Sequence, residues 1–319
     1  MKAAVRSKYG LPGDLIIKEL DIPTPKADEV LIRVYATTVN RSDCHVLSGR
    51  PFIMRLFTGL FKPRSSIIGS DFAGQIEAVG SGVQSFKAGD KIMGFGGVFG
   101  CGSHAQYFTF PETKGIIIMP GNIIYDQAAA CLEGAFYAAS GIIQLTPKAG
   151  QKALVYGATG AIGSSYVQFL KYYGVYVTAV CSSEQTELIR SLGADKVIDY
   201  KTDDFTKDSE QYDFVFDAVG KSSFVKCKRL LKKNGIYTSS NGLINLFWML
   251  ITPLLGGKKV VFSPPKNIKA GLNFIKDLIE KGSFKPVIDR KYPIDKIAEA
   301  FKYVATGQKI GNVIITMNA

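Results

Sequence analysis

The stretch between Val155 and Gly163 has the residue types and spacing that bind a pyrophosphate. It contains Gly157, Gly160 and Gly163, and it lies between an apolar run and a helical pattern. Glycines let a backbone approach a phosphate closely, and a helix N-terminus offers unpaired N–H groups and a partial positive charge. A tight strand–helix turn without a ligand is the alternative. We expect a dinucleotide to contact Gly157, Thr159, Gly160, Ala161, Ile162 and Gly163.

The end of the next apolar run indicates which dinucleotide binds. An acidic residue there would bind the ribose 2′-hydroxyl of NAD, whereas neutral residues leave room for the 2′-phosphate of NADP. The chain has Cys181, then Ser182 and Ser183, with no acid before Glu184. The sequence therefore favours NADPH, with the two serines at the 2′ position. NADH stays possible because Glu184 is a poor neighbour for a phosphate.

Strand and helix patterns alternate around these residues. Strand patterns at 152–157, 175–180, 196–200, 212–220 and 235–240 are separated by helix patterns at 161–173, 184–192 and 224–232. Repeated strand–helix–strand units predict a parallel sheet covered by helices on both faces. Residues 1–122 instead read as short strands between turns, a helix follows at 269–281, and a closing strand is predicted at 311–317.

Composition and charge exclude several classes of protein. The chain has 319 residues, 46% of them hydrophobic, so sizeable cores can form and a disordered chain is excluded. Its five cysteines are scattered, without a zinc or disulfide pattern. The longest apolar stretch, Leu243–Leu255, is too short to span a bilayer, and the N-terminus lacks the apolar core of a signal peptide. We expect a cytoplasmic protein with no membrane span.

The net charge of +12 allows an anionic partner such as nucleic acid or a membrane surface. The densest basic run, between Lys221 and Lys233, alternates with apolar residues at helical spacing. We interpret it as the solvated face of an amphipathic helix over Phe224–Lys232. Basic and aromatic residues are not interleaved as in stacking platforms, which argues against nucleic acid as a partner.

Several motifs together resemble the medium-chain dehydrogenase/reductases, specifically their zinc-independent quinone-oxidoreductase-like branch. They are VNRSD (39–43), GSDFAGQIEAVGSGVQSFKAGDKIMGF (69–95), GSHAQY (102–107), the glycine loop, SLGADKVIDY (191–200), FDAVG (216–220) and KIGNVII (309–315). The resemblance implies an α/β fold in which a GroES-like β domain carries an inserted Rossmann domain with a doubly wound parallel sheet. The expected boundaries are 1–122 with 266–319, and 123–265. It also implies a homodimer.

The resemblance also implies that this chain uses no catalytic metal. Zinc-dependent relatives have Cys-Arg-Ser-Asp and Gly-His-Glu at the first two ligand positions, where this chain has Asn40-Arg41-Ser42-Asp43 and Gly69-Ser70-Asp71. Cys131 lies near the third ligand position, but one soft ligand does not hold zinc. Without a Lewis acid, the most accessible substrates are already activated ones, namely quinones and α,β-unsaturated carbonyls.

Matched positions supply the candidate catalytic residues. Asn40 is placed to hydrogen-bond a substrate oxygen, or else to satisfy its own loop. Ser42 and His45 fall where relatives have a hydroxyl–imidazole proton relay, although a structural role for His45 on its helix is favoured over the relay. Asp43 is either a polar group of the site or a helix cap. His104 is interpreted as structural.

Matched positions also extend the cofactor contacts beyond the glycine loop. Tyr200 ends the third strand of the inserted domain, where this family binds the adenosine. The residues after the fourth and fifth strands, and one near the nicotinamide, complete the set: Val219, Gly220, Asn241, Gly242 and Asn312.

The primary hypothesis is an NADPH-dependent reductase that transfers a hydride to a quinone or enone without a catalytic metal. One alternative is a metal-free alcohol or aldehyde oxidoreductase that uses the Ser42–His45 relay. Another is a cofactor-bound protein with little turnover that binds nucleic acid, which steep salt dependence would reveal. The apolar stretches 51–61 and 243–255 either line a pocket for a lipid-like substrate or serve packing and dimerisation.

Overall fold

A computed structural model describes residues 1–239, 243–262 and 267–317 of the chain. Among these residues the strands are β1 (Lys2–Val5), β2 (Ile16–Glu19), β3 (Glu29–Val39), β4 (Asp71–Val79), β5 (Lys91–Phe95), β6 (Tyr107–Pro111), β7 (Ile116–Ile118), β8 (Lys152–Tyr156), β9 (Tyr176–Cys181), β10 (Lys196–Asp199), β11 (Tyr212–Asp217), β12 (Leu231–Ser239), β13 (Lys259–Val260), β14 (Ile288–Pro293) and β15 (Asn312–Thr316).

The α-helices of the same residues are α1 (Arg41–Ser48), α2 (Met54–Thr58), α3 (Tyr125–Ala130), α4 (Glu133–Leu145), α5 (Ala161–Tyr172), α6 (Thr186–Ser191), α7 (Phe224–Cys227), α8 (Leu243–Leu255), α9 (Ile268–Glu280) and α10 (Ile297–Ala305). No helix in these ranges is long and apolar enough to cross a membrane.

The chain forms two compact units. Unit 1 comprises residues 1–133, 267–280 and 285–319, and unit 2 comprises 134–266 and 281–284. The first boundary lies after Glu133, whereas the sequence predicts it after residue 122.

Unit 1 is built on a seven-stranded sheet. Its strand order is β14-β15-β3-β4-β5-β7, with β6 also paired to β3. The long strand β3 bonds β4, β6 and β15 in antiparallel fashion and so organises the sheet. Phe72 on β4 packs edge-on against Phe108 and Phe110 of β6, which fills the core with aromatic rings. This core fixes the ends of β3 and β4, from which the polar residues of the candidate active site extend.

Unit 2 contains a six-stranded, fully parallel sheet in the order β10-β9-β8-β11-β12-β13. Counted within the unit, the order is 3-2-1-4-5-6, which is that of a doubly wound dinucleotide-binding sheet. The central strands β8, β9 and β11 are buried along most of their length, which explains their continuous apolar runs. The predicted α/β fold class is therefore confirmed.

The predicted helix over Phe224–Lys232 is too long. Helix α7 ends at Cys227, a single 3₁₀ turn follows, and β12 begins at Leu231. Leu231 is fully buried and pairs with Tyr212 of β11. The spacing of the apolar residues is compatible both with one long helix and with a short helix followed by a strand. The chain adopts the second arrangement because residues from Leu231 onward pair within the sheet. Lys232, which was predicted to lie on the solvated face of that helix, instead lies on β12 and forms an ion pair with Asp213 at 2.7 Å.

Candidate active site and cofactor-binding loop

The turn between β3 and α1 places the first group of candidate residues in the interior of unit 1. Asn40 is the residue before α1, and its side-chain amide donates to Thr38 Oγ1 and Asp71 Oδ2, both at 2.8 Å. Asp43 Oδ2 accepts from the backbone N–H of Asn40 at 2.7 Å. Asp43 therefore stabilises the start of α1, as a capping residue does. Both side chains are buried.

A residue that the sequence analysis did not single out, Glu133, lies at the centre of this group. Its carboxylate accepts from Ser42 Oγ at 2.6 and 2.7 Å and from Ser70 Oγ at 3.0 Å. Its backbone N–H, at the first position of α4, donates to Asp71 Oδ1 at 3.1 Å. The structure thus brings Asn40, Ser42 and Asp43 together around Asp71 and Glu133. We call Asp43, Asp71 and Glu133 the carboxyl cluster.

Burial and mutual repulsion change the acidity of the carboxyl cluster. Burial raises the pKa of Asp71 to about 8, and the nearby Glu133 carboxylate adds to the rise, although hydrogen bonds from Thr38 and Asn40 oppose it. Burial, and then the Glu133 carboxylate, raise the pKa of Asp43 well above its usual range. Burial also raises the pKa of Glu133. Buried carboxyls this close do not all ionise at once, so the cluster retains protons at neutral pH.

Lys309, also unidentified at the sequence level, supplies the positive charge that acts on this cluster. Burial lowers the pKa of Lys309, whereas the charge of Glu133 raises it. The Lys309 ammonium donates to the carbonyl oxygen of Gly311 at 2.5 Å. In the described part of the chain, the charges of Glu133, Asp289 and Asp71 all act on Lys309. One ammonium cannot neutralise all three carboxyls, which agrees with retained protons.

The two histidines lie apart from the predicted relay. His45 Nδ1 is 2.9 Å from the carbonyl oxygen of Arg50, and the hydroxyl of Ser42 bonds to Glu133 instead. His104 is fully buried, with its Nε2 at 2.8 Å from the carbonyl oxygen of Thr38. Burial lowers the pKa of His104 to about 4, so this imidazole is neutral.

The donor set at the matched metal positions does not suit zinc. Asn40 and Ser70 offer an amide and a hydroxyl, and both are bonded to carboxylates of the cluster. Burial raises the pKa of the Cys131 thiol, which disfavours the thiolate that zinc requires. In the described ranges no three His, Cys, Asp or Glu side chains are arranged to hold a metal ion. Glu133, two residues after Cys131, accepts a hydrogen bond from Ser70, which occupies the second of the matched metal positions.

The glycine loop in unit 2 has the geometry of a phosphate-binding turn. Gly157 follows β8 with a φ of +78°, in the left-handed region, and a Cβ there would lie 2.4 Å from Val219 Cγ1. A Cβ on Gly163 would lie 2.1 Å from the carbonyl oxygen of Gly157. The first turn of α5 carries no acid that would repel an anion from the N-terminus of the helix. Thr159, Gly160, Ala161 and Ile162 form the junction between loop and helix.

The fourth strand contributes to the same edge of the sheet. Strand β11 pairs with β8, and the Asp217 carboxylate accepts from the backbone N–H groups of Val219 and Gly220 at 3.2 and 2.7 Å. Asp217 thereby fixes the turn that faces Gly157. Strand order reverses between β8 and β11, and ligands of such sheets bind at this point, beyond the carboxyl ends of the strands.

The ends of β9 and β10 form a polar group around Ser182. The hydroxyl oxygen of Ser182 is buried without a hydrogen-bond partner in the described part of the chain. Ser183 bonds to Asp199, whose pKa is lowered chiefly by the N–H of Lys201 and also by Ser183. Lys201 Nζ lies 2.8 Å from Glu184, so this glutamate carries a paired charge. An unpartnered hydroxyl and a nearby ammonium suit a phosphate ester.

The remaining predicted cofactor residues differ in placement. Tyr200 follows β10 and is about half exposed. Asn312 is buried in unit 1, and its side chain donates to the carbonyl oxygen of Val287 at 3.0 Å. Asn241 and Gly242 lie outside the described residues.

Comparison with known proteins agrees with this architecture. Residues 26–121 match the family described as alcohol dehydrogenase GroES-like domain, and residues 192–315 match the family described as zinc-binding dehydrogenase. The quinone oxidoreductase structure from Coxiella burnetii superimposes with a TM-score of 0.88 over 100% of this chain and 99% of that one, at 23% identity.

Curated relatives are closer in sequence. The chain is 33% identical to the chloroplastic NADPH-dependent alkenal/one oxidoreductase of Arabidopsis thaliana, over 99% of this chain and 79% of that protein. It is 31% identical to the chloroplast envelope quinone oxidoreductase homolog of the same plant, over 93% and 92% of the two chains. The chain belongs to the medium-chain dehydrogenase/reductase superfamily, in its quinone-oxidoreductase-like branch.

Proposed function

We propose that this protein is an NADPH-dependent reductase of quinones or α,β-unsaturated carbonyls. The observation that carries the proposal is that one chain contains both a phosphate-binding loop, in unit 2, and a buried, proton-retaining carboxyl cluster, in unit 1. The names of the curated relatives, an alkenal/one oxidoreductase and a quinone oxidoreductase homolog, support the same chemistry. In this proposal unit 2 binds the cofactor and unit 1 provides the catalytic groups.

The residues of unit 2 fit NADPH. Gly157 and Gly163 leave space for the pyrophosphate, and the start of α5 provides N–H donors. Ser182 and Lys201 would bind the 2′-phosphate, while the ion pair with Lys201 removes the repulsion expected from Glu184. When bound, NADPH supplies a hydride to the conjugated carbon or quinone ring.

Unit 1 would supply the proton that completes the reduction. Hydride addition creates an enolate or hydroquinone oxyanion, which needs one proton to give the neutral product. In the proposed mechanism a proton held by the carboxyl cluster passes from Glu133 through Ser42 or Ser70 to the substrate. Asn40 donates to Asp71 and so orients the cluster. The proposed proton path through these residues does not involve a metal ion.

The test is consumption of NADPH, followed by absorbance in the presence of EDTA. A short enone and a simple para-quinone are the acceptors, and NADH is the paired control. Turnover that is faster with NADPH supports the proposal, and turnover that favours NADH contradicts the assignment of Ser182 and Lys201. Absence of turnover with both acceptors and both cofactors overturns the proposed activity.

A cytoplasmic location and a homodimer are further parts of the proposal. Strand β13, with only Lys259 and Val260, ends the sheet of unit 2 and offers an edge that a second copy can extend. Sedimentation equilibrium should then give twice the 34.7 kDa of the chain. A mass of one chain at micromolar concentration would contradict the dimer.

A further inference from the structure

The surface around α2 in unit 1 exposes an unusual concentration of large apolar side chains. Phe61 is 90% exposed and Phe52 64% exposed. The exposed apolar residues are Phe52, Ile53, Leu56, Phe57, Leu60, Phe61 and Phe99. Together with the cationic residues between positions 50 and 64, they form what we call the α2 surface. Exposed apolar patches of this kind on a folded protein mark contact with another apolar phase or partner.

The α2 surface is a built feature and not a loose loop. The Tyr9 hydroxyl donates to the carbonyl oxygen of Gly59 at 2.5 Å and lies 2.8 Å from the Thr58 hydroxyl. Thr58 and Gly59 are thereby held inward, while the residues on either side of them face solvent. Phe57 stacks on Phe99 with ring centroids 4.9 Å apart. The rings of Phe57 and Phe99 are therefore held against each other outside the core.

Unpaired positive charge surrounds these side chains. The segment from residue 44 to residue 70 contains Arg50, Arg55, Lys62 and Arg64 and no acid. None of the four forms an ion pair in the described part of the molecule, whereas many cations elsewhere do, including Lys171, which pairs with Asp195. The α2 surface thus combines exposed rings and aliphatic chains with a cationic rim.

Three kinds of partner would cover an apolar surface, and the charges distinguish them. A two-fold contact between copies of the α2 surface would bring like charges together, which is unfavourable. Single-stranded nucleic acid would stack on the rings, but Ile53, Leu56 and Leu60 offer no ring to a base. An anionic bilayer accommodates both features, because apolar side chains enter the boundary of headgroups and acyl chains while cations meet lipid phosphates.

We propose that the α2 surface docks this protein on an anionic membrane, as a peripheral and reversible contact. Phe52, Phe57 and Phe61 would enter the interface, and Arg50, Lys62 and Arg64 would face the headgroups. Helix α8 also exposes apolar side chains, including Leu250 and Leu254. It contains no charged residue between Leu243 and Leu255, and the Nζ of Lys258, which follows it, donates to the carbonyl oxygen of Lys228. The α2 surface, with four cations among its own apolar residues, is therefore the better match to an anionic lipid.

The experiment is co-sedimentation of the full chain with vesicles of phosphatidylcholine alone or with about one third phosphatidylglycerol. We expect binding to the anionic vesicles that weakens as salt rises, because exposed charges are screened. Each cation near such a surface changes the binding constant by about fivefold, so Lys62→Glu should weaken binding by tenfold or more. Phe61→Ser should weaken it by about tenfold through loss of apolar contact.

Matched variants in unit 2 serve as controls. Val225 is 60% exposed and Lys226 is also exposed, so Val225→Ser and Lys226→Glu make the same chemical changes elsewhere and should leave binding unchanged. Circular dichroism and the thermal midpoint verify that each variant is folded.

Several outcomes would overturn the proposal. They are absence of wild-type binding to anionic vesicles at low salt, equal binding to neutral vesicles, and loss of binding in the control variants. Loss in Leu254→Ser but not in Phe61→Ser would assign the contact to α8. A change of oligomeric mass in Phe61→Ser would identify the α2 surface as a contact between copies.

Discussion

Individual side chains carry the chemistry proposed for unit 1, and Glu133 links Ser42 and Ser70 within the carboxyl cluster. Its carboxylate accepts from two serine hydroxyls while burial raises its pKa. The sequence did identify Asn40, Ser42 and Asp43, because they occupy matched motif positions. Glu133 could not be identified from the sequence, because the third metal-ligand position matches Cys131, two residues earlier, and nothing in the pattern brings a residue after it to Ser42. Lys309 begins the KIGNVII motif, but a lysine before a predicted strand gives no sign of acting on a buried carboxylate.

Glu133→Gln tests the role of the carboxyl cluster in proton supply. An acid whose pKa is raised keeps its proton at neutral pH and loses it as pH rises, so wild-type kcat should fall in alkaline solution, near the pKa of about 8 for Asp71. General acid catalysis contributes about 10²- to 10⁴-fold. We expect Glu133→Gln to lower kcat for an enone by about 100-fold, to remove the alkaline fall, and to leave the Kd for NADPH unchanged.

Glu112→Gln is the matched control, because this glutamate bonds backbone N–H groups of Gln84 and Ser85 at the surface. It should keep wild-type kcat and the wild-type pH profile. If Glu133→Gln retained kcat within twofold with the same profile, the proton would have to come from elsewhere.

His104 makes a separate prediction about stability. Because its pKa falls to about 4 in the folded protein, the unfolded chain takes up a proton near pH 6.5 that the folded chain does not. Above pH 6.5 His104 is neutral in both states and does not change the free energy of unfolding. As the pH falls from 6.5 toward 4, protonation of His104 in the unfolded chain lowers that free energy. Between pH 7.5 and pH 5 it should lower the free energy of unfolding by about 2 kcal/mol.

The measurement compares urea unfolding of the wild type and of His104→Gln, whose amide can still donate to the Thr38 carbonyl. The variant should lose about 2 kcal/mol less than the wild type between pH 7.5 and pH 5. Equal acid destabilisation in both proteins would show that His104 titrates normally in the fold.

At the scale of elements, the strands of unit 2 were the most predictable part of the molecule. The central strands β8, β9 and β11 are largely buried and give continuous apolar runs. At the edge of the sheet, the predicted strand at 196–200 matches β10 to within one residue. Helix α7 was less predictable, because Leu230 and Leu231 fit helical spacing although Leu231 belongs to β12. The role of Lys201 could not be predicted either, since it depends on β10 lying beside β9, and pattern alone does not give strand order.

The ends of the neighbouring strands β9 and β10 give a prediction for the preference between NADPH and NADH. Replacing Lys201 with Ala would remove a cation proposed to bind the 2′-phosphate and would leave Glu184 unpaired beside it. We expect Lys201→Ala to weaken NADPH binding by about tenfold, as one charge-assisted contact is lost, and to leave NADH binding nearly unchanged. Isothermal titration with both cofactors measures the difference.

Lys171→Ala is the control for that substitution, because Lys171 also pairs with an acid, Asp195, at 2.8 Å but lies in the last turn of α5, away from the glycine loop at its start. Its affinities for both cofactors should match the wild type. Equal loss of NADPH and NADH affinity in Lys201→Ala would indicate a general effect on the strand ends and contradict a phosphate contact.

At the scale of the molecule, the proposed function divides between two compact units with separate sheets. The chain enters unit 2 after Glu133 and returns to unit 1 at Asn267. The only tryptophan of the chain, Trp248, lies on α8 in unit 2, where it packs against Phe224 with ring centroids 5.5 Å apart. Its fluorescence therefore reports the unfolding of the unit to which we assign the cofactor.

Binding of NADP⁺ should stabilise unit 2 by mass action, because the glycine loop exists only in the folded state. At a free concentration 100-fold above Kd, the free energy of unfolding should rise by about 2.7 kcal/mol. Urea unfolding followed by Trp248 fluorescence measures this rise. Gly157→Val should abolish it, since a side chain there meets Val219 and a φ of +78° strains a β-branched residue. A rise that persists in Gly157→Val would place the dinucleotide away from the loop, and no rise in the wild type would contradict cofactor binding by unit 2.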